Sequence, residues 1–586
     1  MWKGSRMTDL GLLYPVTIFL LAAAMIAVVP RSWIGWVSLL APIMSAIVTF
    51  SAWLTPSLMI GASLELSAMD YKLIPVEVDA LGLLMVALFH GAALTGALFA
   101  HTIKDRLQHS AMLAYFAGGI GAVMAGDWIS FFVFFEIIAL AGAGLVFARR
   151  TEASMQAGVR YLLFQIAAGV TLLTGILWQG AVTDQWAIAE LTLDPKTPYA
   201  FLFLFAFGLK AGFPLLHLWL VDAYPKASPT GLAVLVAVTT KVGIVGLLKT
   251  FPGESWLVPI GLLMALWPVG YVLSENNLRR VLAYSMMVQL GLMVMAIGVG
   301  TPLALDGVSW HIVMDVSFKM VFFMAFAIVL THLGTNQVDQ LSGLAKPLPV
   351  VAICVAVAAL ANVAMPLTGG FISKKMMLGA IDASTLPHAV YWMALSLSVL
   401  GLLYAWIRLT WRVFFSAVQS NMSLPHRIKL PWSQCLALLI PVVVLVVTGF
   451  VPSLIEGFRP FESEEHVFTL KTVTAQLALL GGGFVVYRGL RRIGWGLPRK
   501  SVERLWDADL IYRWVFITLP RAMVRVGSAF QSSATKPIRG MVQWVSHPKW
   551  PLQHLGQSWP IGAMALWVAV IFFVILVLGL INQLAP

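Results

Sequence analysis

Apolar runs long enough to cross a bilayer, on the order of 20 residues each, recur from Leu12 to Leu580. The chain is 60% hydrophobic and 11% charged, whereas roughly a quarter of a soluble domain is charged. These two features select an all-α polytopic membrane protein, with about 14–16 transmembrane helices at that length per span. The first run, near Tyr14 to Val29, is followed at once by another and has no convincing small-residue cleavage site. It reads as a retained helix rather than a signal peptide. The formal net charge of +12 reads as a record of topology rather than of nucleic-acid binding, because no basic tail or aromatic RNA-binding motif accompanies it. The two cysteines, Cys354 and Cys435, lie in apolar runs with no second thiol or paired histidine at metal spacing. No disulfide, zinc site, iron–sulfur cluster or other cofactor is expected.

Basic residues such as Arg31, Lys104, Arg149, Arg150, Lys226, Arg279, Arg280 and Lys346 follow the odd-numbered runs, and acidic ones such as Glu65, Asp127, Asp184, Glu254, Asp306 and Asp382 follow the even-numbered runs. The positive-inside rule then puts the N-terminus outside and the odd connections in the cytoplasm, the arrangement of a multi-pass protein of a bacterial inner membrane with a periplasmic N-terminus. The chain divides into N-terminal helices (1–105), a first five-helix repeat (106–250), a second (251–415), C-terminal helices (416–490), and a segment (491–586) read as an amphipathic interfacial stretch with a last anchor helix.

An ionisable side chain in mid-membrane costs at least ~2.5 to 3.5 kcal/mol on insertion scales, so each one is a functional candidate until a helix end explains it. Glu136 lies inside Phe131-Phe-Val-Phe-Phe-Glu-Ile-Ile-Ala-Leu140, Lys210 inside Phe205-Ala-Phe-Gly-Leu-Lys-Ala-Gly-Phe-Pro214, and Lys241 follows Thr239 and Thr240 in the eighth run. The eleventh run holds His311, Asp315 and Lys319, a spacing that stacks them on one helical face. Lys374 and Lys375 follow Pro366-Leu-Thr-Gly-Gly370. Lys249, near a span end, and Lys375, facing away from its neighbour, have simpler explanations. His217 and Asp315 are supporting candidates, the latter as a partner for Lys319. Tyr284, Ser285 and Gln289 read as packing or interhelical bonding groups.

Pro214 follows Lys210, and Pro366 with Gly369 and Gly370 precedes Lys374. Proline breaks a helix, and broken helices free backbone dipoles where an ion needs them. The two lysines fall in spans seven and twelve, five helices apart, and an odd number of helices per repeat makes the second copy inverted. Burial weakens a lysine's hold on its proton and a nearby carboxylate restores it. Glu136 then acts as a switch on Lys210, and Lys241, His311, Lys319 and Lys374 carry the proton onward; an unperturbed histidine titrates at about 6.5.

The stretch Leu209-Lys-Ala-Gly-Phe-Pro-Leu-Leu-His-Leu-Trp-Leu-Val-Asp-Ala-Tyr-Pro-Lys-Ala-Ser228 resembles the span-seven motif of the antiporter-like family shared by Mrp antiporters and respiratory complex I. Val78-Asp-Ala-Leu81, Thr240-Lys-Val-Gly-Ile-Val245, Asn277-Leu-Arg-Arg-Val-Leu-Ala-Tyr-Ser285 and Gly370-Phe-Ile-Ser-Lys374 match in the family's order. The resemblance implies two inverted five-helix repeats with broken helices seven and twelve. It implies Glu136 and Lys210 as the coupling pair, Lys241 as the connecting lysine and Lys374 as the terminal exchange residue. Relatives with two histidines in the eleventh span match only at His311, because Asp315 takes the second place. The Thr-Lys-Val-Gly stretch is most similar to the D-type Mrp subunit, so the expected function is transport of H⁺ against Na⁺ or K⁺, beside other membrane subunits. Two alternatives are a proton-pumping subunit of a complex I-like or membrane-bound hydrogenase assembly, and an ion-driven partner of an inorganic-carbon uptake protein.

Overall fold

Short polar side chains open several of the membrane helices by accepting hydrogen bonds from the first turn, whose backbone donors have no partner within the helix. A computed structural model describes residues 14–51, 60–68, 71–418, 427–464 and 468–492. The chain runs through α1 (Tyr14–Val28) and α2 (Ile34–Ser51) into an antiparallel hairpin of β1 (Ser63–Ala68) and β2 (Tyr71–Glu77). This hairpin is a small departure from the all-helical expectation. Asp79 then caps α3 (Ala80–Ala100), Asp105 caps α4 (Arg106–Met124), Asp127 caps α5 (Trp128–Phe147) and Thr151 caps α6 (Glu152–Thr183).

Span seven is two helices, α7 (Tyr199–Ala211) and α8 (Leu218–Ala223), and span eight is α9 (Pro229–Leu235) and α10 (Thr239–Thr250). After α11 (Leu257–Leu266) and α12 (Val269–Ser274) come α13 (Leu278–Val299) and α14 (Pro302–Leu333). Span twelve is again broken, into α15 (Pro349–Asn362) and α16 (Gly369–Asp382). α17 (His388–Gly401) continues as a π-helical stretch, Leu402–Phe415. The described residues end with α18 (Trp432–Phe450), α19 (Ser453–Glu456) and α20 (Leu470–Arg492). The amphipathic segment and anchor helix expected beyond 492 lie outside the described residues.

Among the described residues nine helices are long and apolar enough to cross a membrane. Three of these spans, Pro229–Thr250, Leu278–Val299 and Pro302–Leu333, are buried on every side. A helix that is apolar all round belongs in a protein core. These three carry Lys241, Ser285, Gln289, His311, Asp315 and Lys319.

The two halves repeat with a definite register. α6 and α14 each have 32 residues, and their caps Thr151 and Thr301 are 150 residues apart (301 minus 151). The caps Asp127 and Asn277 keep the same offset and sit in equivalent isolated bridges, Asp127 with Ala187 and Asn277 with Gln337. At the breaks the offset becomes 152 (364 minus 212). Gly212 and Ala364 end their helices in the left-handed region at φ 83° and 58°, and Leu215 and Leu367 follow with φ 68° each. The Phe213 N–H donates to Gly208 O at 2.8 Å and the Met365 N–H to Leu360 O at 2.9 Å, the six-to-one bond of a Schellman ending. Pro214 and Pro366 occupy the same place in the two turns.

This register corrects the pairing of Lys210 with Lys374. The residue equivalent to Lys210 is Asn362, because the turn geometry, not the nearby Gly-Phe and lysine letters, fixes the alignment of the repeats. Lys210 precedes its break and Lys374 follows its own.

Span eight has a further interruption at Val236–Val238. The Leu235 carbonyl accepts hydrogen bonds from Tyr115 and Tyr224, each at 2.9 Å, and the Thr239 N–H donates to the Tyr115 oxygen at 2.8 Å. Tyr161 reaches the Thr239 hydroxyl at 3.1 Å. Buried phenols thus replace the partners that the unwound turn lost. Replacing Tyr115 with Phe removes two of these bonds, and an unmade buried bond costs about 1–3 kcal/mol. Tyr115→Phe is therefore expected to lower the thermal unfolding temperature of the detergent-purified protein, whereas Tyr487→Phe, on the outward α20, is expected to leave it unchanged.

Candidate ion-translocation path

Glu136 projects from α5 toward α6 at Gly169, where an added Cβ would collide with Glu136 Oε1. Glycine is needed there to make room for the carboxyl group. Glu136 Oε1 is buried and has no hydrogen-bond partner. Lys210, in the last turn of α7, has no exposed surface. Its Nζ donates to the Phe135 carbonyl at 2.8 Å and stands 3.0 Å from the Phe135 ring centre. A cation over an aromatic face is stabilised by the ring's quadrupole. Among the described residues no hydrogen bond joins Glu136 to Lys210, although their charges interact. The pair expected from the sequence therefore stands open, with the ammonium held by the residue next to the carboxylate.

Two residues after Lys241, α10 crosses α7 at Gly243, where an added Cβ would lie 2.8 Å from the Ala211 nitrogen. That close approach brings the start of α10 against the end of α7. Lys241 Nζ pairs with Asp315 Oδ2 at 2.6 Å, both side chains wholly buried. This corrects the expectation that Asp315 serves Lys319. The partner comes from the other repeat, because Asp315 faces α10 while Lys319, one turn further on, faces α13. Asp315 Oδ1 has no partner.

His311, Asp315 and Lys319 lie on one face of α14 and reach three different helices. His311 Nε2 bonds Gln289 Oε1 at 3.1 Å on α13, and its Nδ1 meets the Ser373 hydroxyl at 3.0 Å on α16. With the Gln289 oxygen as acceptor, Nε2 carries the proton and Nδ1 accepts from Ser373. Lys319 donates to the Ser285 hydroxyl. Lys374 donates to the Asn362 main-chain carbonyl at 3.0 Å, across the break between α15 and α16. His217 is buried inside the first break, just before α8.

Lys249 pairs with Asp79, the cap of α3, at 2.8 Å, which gives this span-end lysine an anchoring place. Lys375 is half-buried beside Lys374. Ser285 and Gln289 bond charged residues directly, beyond the packing read for them. Ser373, Asn362 and Tyr404 do not stand out in the sequence; the turn register at Pro214 and Pro366 is the signal that points to Asn362.

A doubled set of five spans, two of them broken at proline turns and lined inside by lysines, histidine and carboxylates, defines an antiporter-like membrane protein. Residues 125–403 match the family described as NADH:quinone oxidoreductase/Mrp antiporter, TM. The chain is 29% identical over 290 residues to hydrogenase-4 component B of Escherichia coli, covering 45% of this chain and 43% of that one. It is 28% identical over 277 residues to the D-type subunit of the Na(+)/H(+) antiporter of Alkalihalophilus pseudofirmus, covering 44% and 56%. The match thus spans about half the length of these relatives. The fold is shared with a chain of the Mrp complex from Dietzia sp. DQ12-45-1b, at a TM-score of 0.74 and 21% identity, over 91% of this chain and 61% of that one.

Removing one partner of a buried ion pair costs about 3–5 kcal/mol, while replacing both by apolar residues is often neutral. Lys241→Met and Asp315→Leu are each expected to destabilise the purified protein by about that amount, and the double variant to recover most of it. A double-mutant cycle of unfolding in detergent checks this; strictly additive losses would dissolve the pair as a coupled unit.

Proposed function

We propose that this chain is the proton- and cation-translocating subunit of a multisubunit Mrp-type Na⁺(K⁺)/H⁺ antiporter, embedded with other membrane subunits in a bacterial inner membrane, its N-terminus on the periplasmic side. The observation that carries the reading is the fully buried Lys241–Asp315 pair at 2.6 Å, which joins the last span of the first repeat to the central span of the second. Charge that arrives on one half is thereby felt on the other. In low dielectric such coupling is far stronger than in water.

The path runs from Glu136 and Lys210 to Lys241, across Asp315 to His311 and Lys319, and on to Lys374. When Lys210 swings from the Phe135 carbonyl to Glu136, the carboxylate stabilises its ammonium; when it swings back, the proton is free to move toward Lys241. His311 suits relay duty because the Gln289 oxygen holds the proton on Nε2 while Nδ1 faces the Ser373 hydroxyl, which can both donate and accept. Neutral His311 accepts from Ser373. Protonated His311 donates to it, and the serine then turns its own hydrogen to the Gly369 carbonyl, 3.2 Å away.

The similarity to hydrogenase-4 component B supports a second reading, in which the same path is driven by redox subunits instead of a cation gradient. The test is pH-gradient dissipation by added Na⁺ or K⁺ in everted vesicles containing the whole operon. Added cation is expected to collapse the gradient in wild type. Glu136→Ala and Lys210→Ala should assemble normally and lose the response by about a hundredfold, the scale of a lost proton-transfer group. A wild type with no cation response would discard the antiporter reading in favour of the redox-driven one.

A further inference from the structure

We propose that Tyr404 is a proton-carrying residue of this path, the junction through which protons pass between Lys319 and Lys374. The proposal rests on the translocation reading above and adds a residue to it. Tyr404 is fully buried near the start of the π-helical stretch Leu402–Phe415. Its hydroxyl donates to Asn362 Oδ1 at 2.9 Å, with the side chains of Gln289 and Ser285 near it. Each of these three neighbours already serves a basic residue. Ser285 accepts from Lys319, Gln289 from His311 at 3.1 Å, and the Asn362 main-chain carbonyl from Lys374 at 3.0 Å. One phenol therefore stands a single side chain away from all three. Lys319 Nζ is itself 5.8 Å from the phenol ring centre.

Asn362 supplies the second, independent observation. Its Nδ2 is buried and has no acceptor, although buried amides are nearly always bonded to protein or water. The proposal places a water there, accepting from Nδ2 and standing between the phenol and the Lys374 amine. The repeat register deepens the point, because Asn362 stands where the first half has Lys210. The second half has an amide and a phenol where the first has an ammonium. The π-helical winding that carries Tyr404 fits this role, since such segments are rare and recur at functional sites.

The transfer balances as follows. The Lys319 ammonium gives a proton to the Ser285 oxygen as the serine's own hydrogen, which rests on the Leu282 carbonyl at 2.7 Å, turns to the Tyr404 oxygen. The tyrosine's hydrogen turns from Asn362 Oδ1 to the water, and the water passes one of its hydrogens to the unprotonated Lys374 amine. Serine, tyrosine and water each end with the hydrogens they began with. One proton has moved from Lys319 to Lys374.

The test is proton flux through the whole complex in proteoliposomes under an imposed pH gradient, with Na⁺ and K⁺ on both faces, in H₂O and in D₂O. Tyr404→Phe keeps the ring and deletes only the hydroxyl. It is expected to cut the flux by at least about tenfold and to raise the solvent isotope effect, because proton transfer becomes limiting. Tyr404→His, which both donates and accepts, should restore part of the flux, and Trp411→Phe on the exposed side of the same stretch should match wild type. A Tyr404→Phe flux within about twofold of wild type, or a lower flux with an unchanged isotope effect, overturns the junction while leaving the antiporter reading standing. A wild type that passes no protons overturns both.

Discussion

Backbone groups released inside a bilayer have no water to turn to, and the manner in which this chain supplies partners for them sets the positions of its functional side chains. Spans seven and twelve stop in matching turns, closed by the bonds Phe213 N–H to Gly208 O and Met365 N–H to Leu360 O. Span eight is interrupted beneath a group of buried tyrosines that bond Leu235 and Thr239. Each closure leaves a basic residue close at hand: Lys210 two residues before Gly212, Lys241 two residues after Thr239, and Lys374 bonded back to Asn362. The irregular backbone is tolerated where it is walled by protein, and there the lysines find oxygen acceptors in place of water.

The charges themselves are arranged to avoid isolation. Desolvating a single ion is expensive, and a partner with good geometry offsets much of that. Lys241 and Asp315 meet this condition directly. Lys319 relies on a hydroxyl and Lys374 on a main-chain carbonyl, while Lys210 combines a carbonyl with an aromatic face. These neutral acceptors hold an ammonium less firmly than a carboxylate would. On the proposed path, sites that let a proton go are better served by them.

Much of this is legible in the sequence, because apolar runs, mid-span charges and prolines are local signals. Sixty per cent hydrophobic residues in spans of membrane length leave no other class, and Pro214 and Pro366 mark both breaks. The i, i+4, i+8 spacing of His311, Asp315 and Lys319 correctly places them on one face of α14. The partners of that face are not legible, since a helix face does not say which neighbour stands opposite each turn. On sequence alone Asp315 goes to Lys319 on its own helix, whereas packing gives it to Lys241. The hairpin at Ser63–Glu77 escapes because its strands lie in a connection between spans, where the membrane pattern is silent. Tyr404 escapes because it carries no charge, and only its convergence with Asn362 in three dimensions sets it apart.

The caps and turns of the two halves have stayed in step while the side chains at equivalent places have diverged. Thr151 and Thr301, Asp127 and Asn277, and Pro214 and Pro366 do the same work in each, yet a lysine in one turn is an asparagine in the other. The two halves are constrained alike by the lipid around them and hold different side chains at matched places. Each half holds what the other lacks, so a chimera built from two first halves would set Gln165, which stands 150 residues before Asp315 (315 minus 165), against Lys241 in place of the carboxylate.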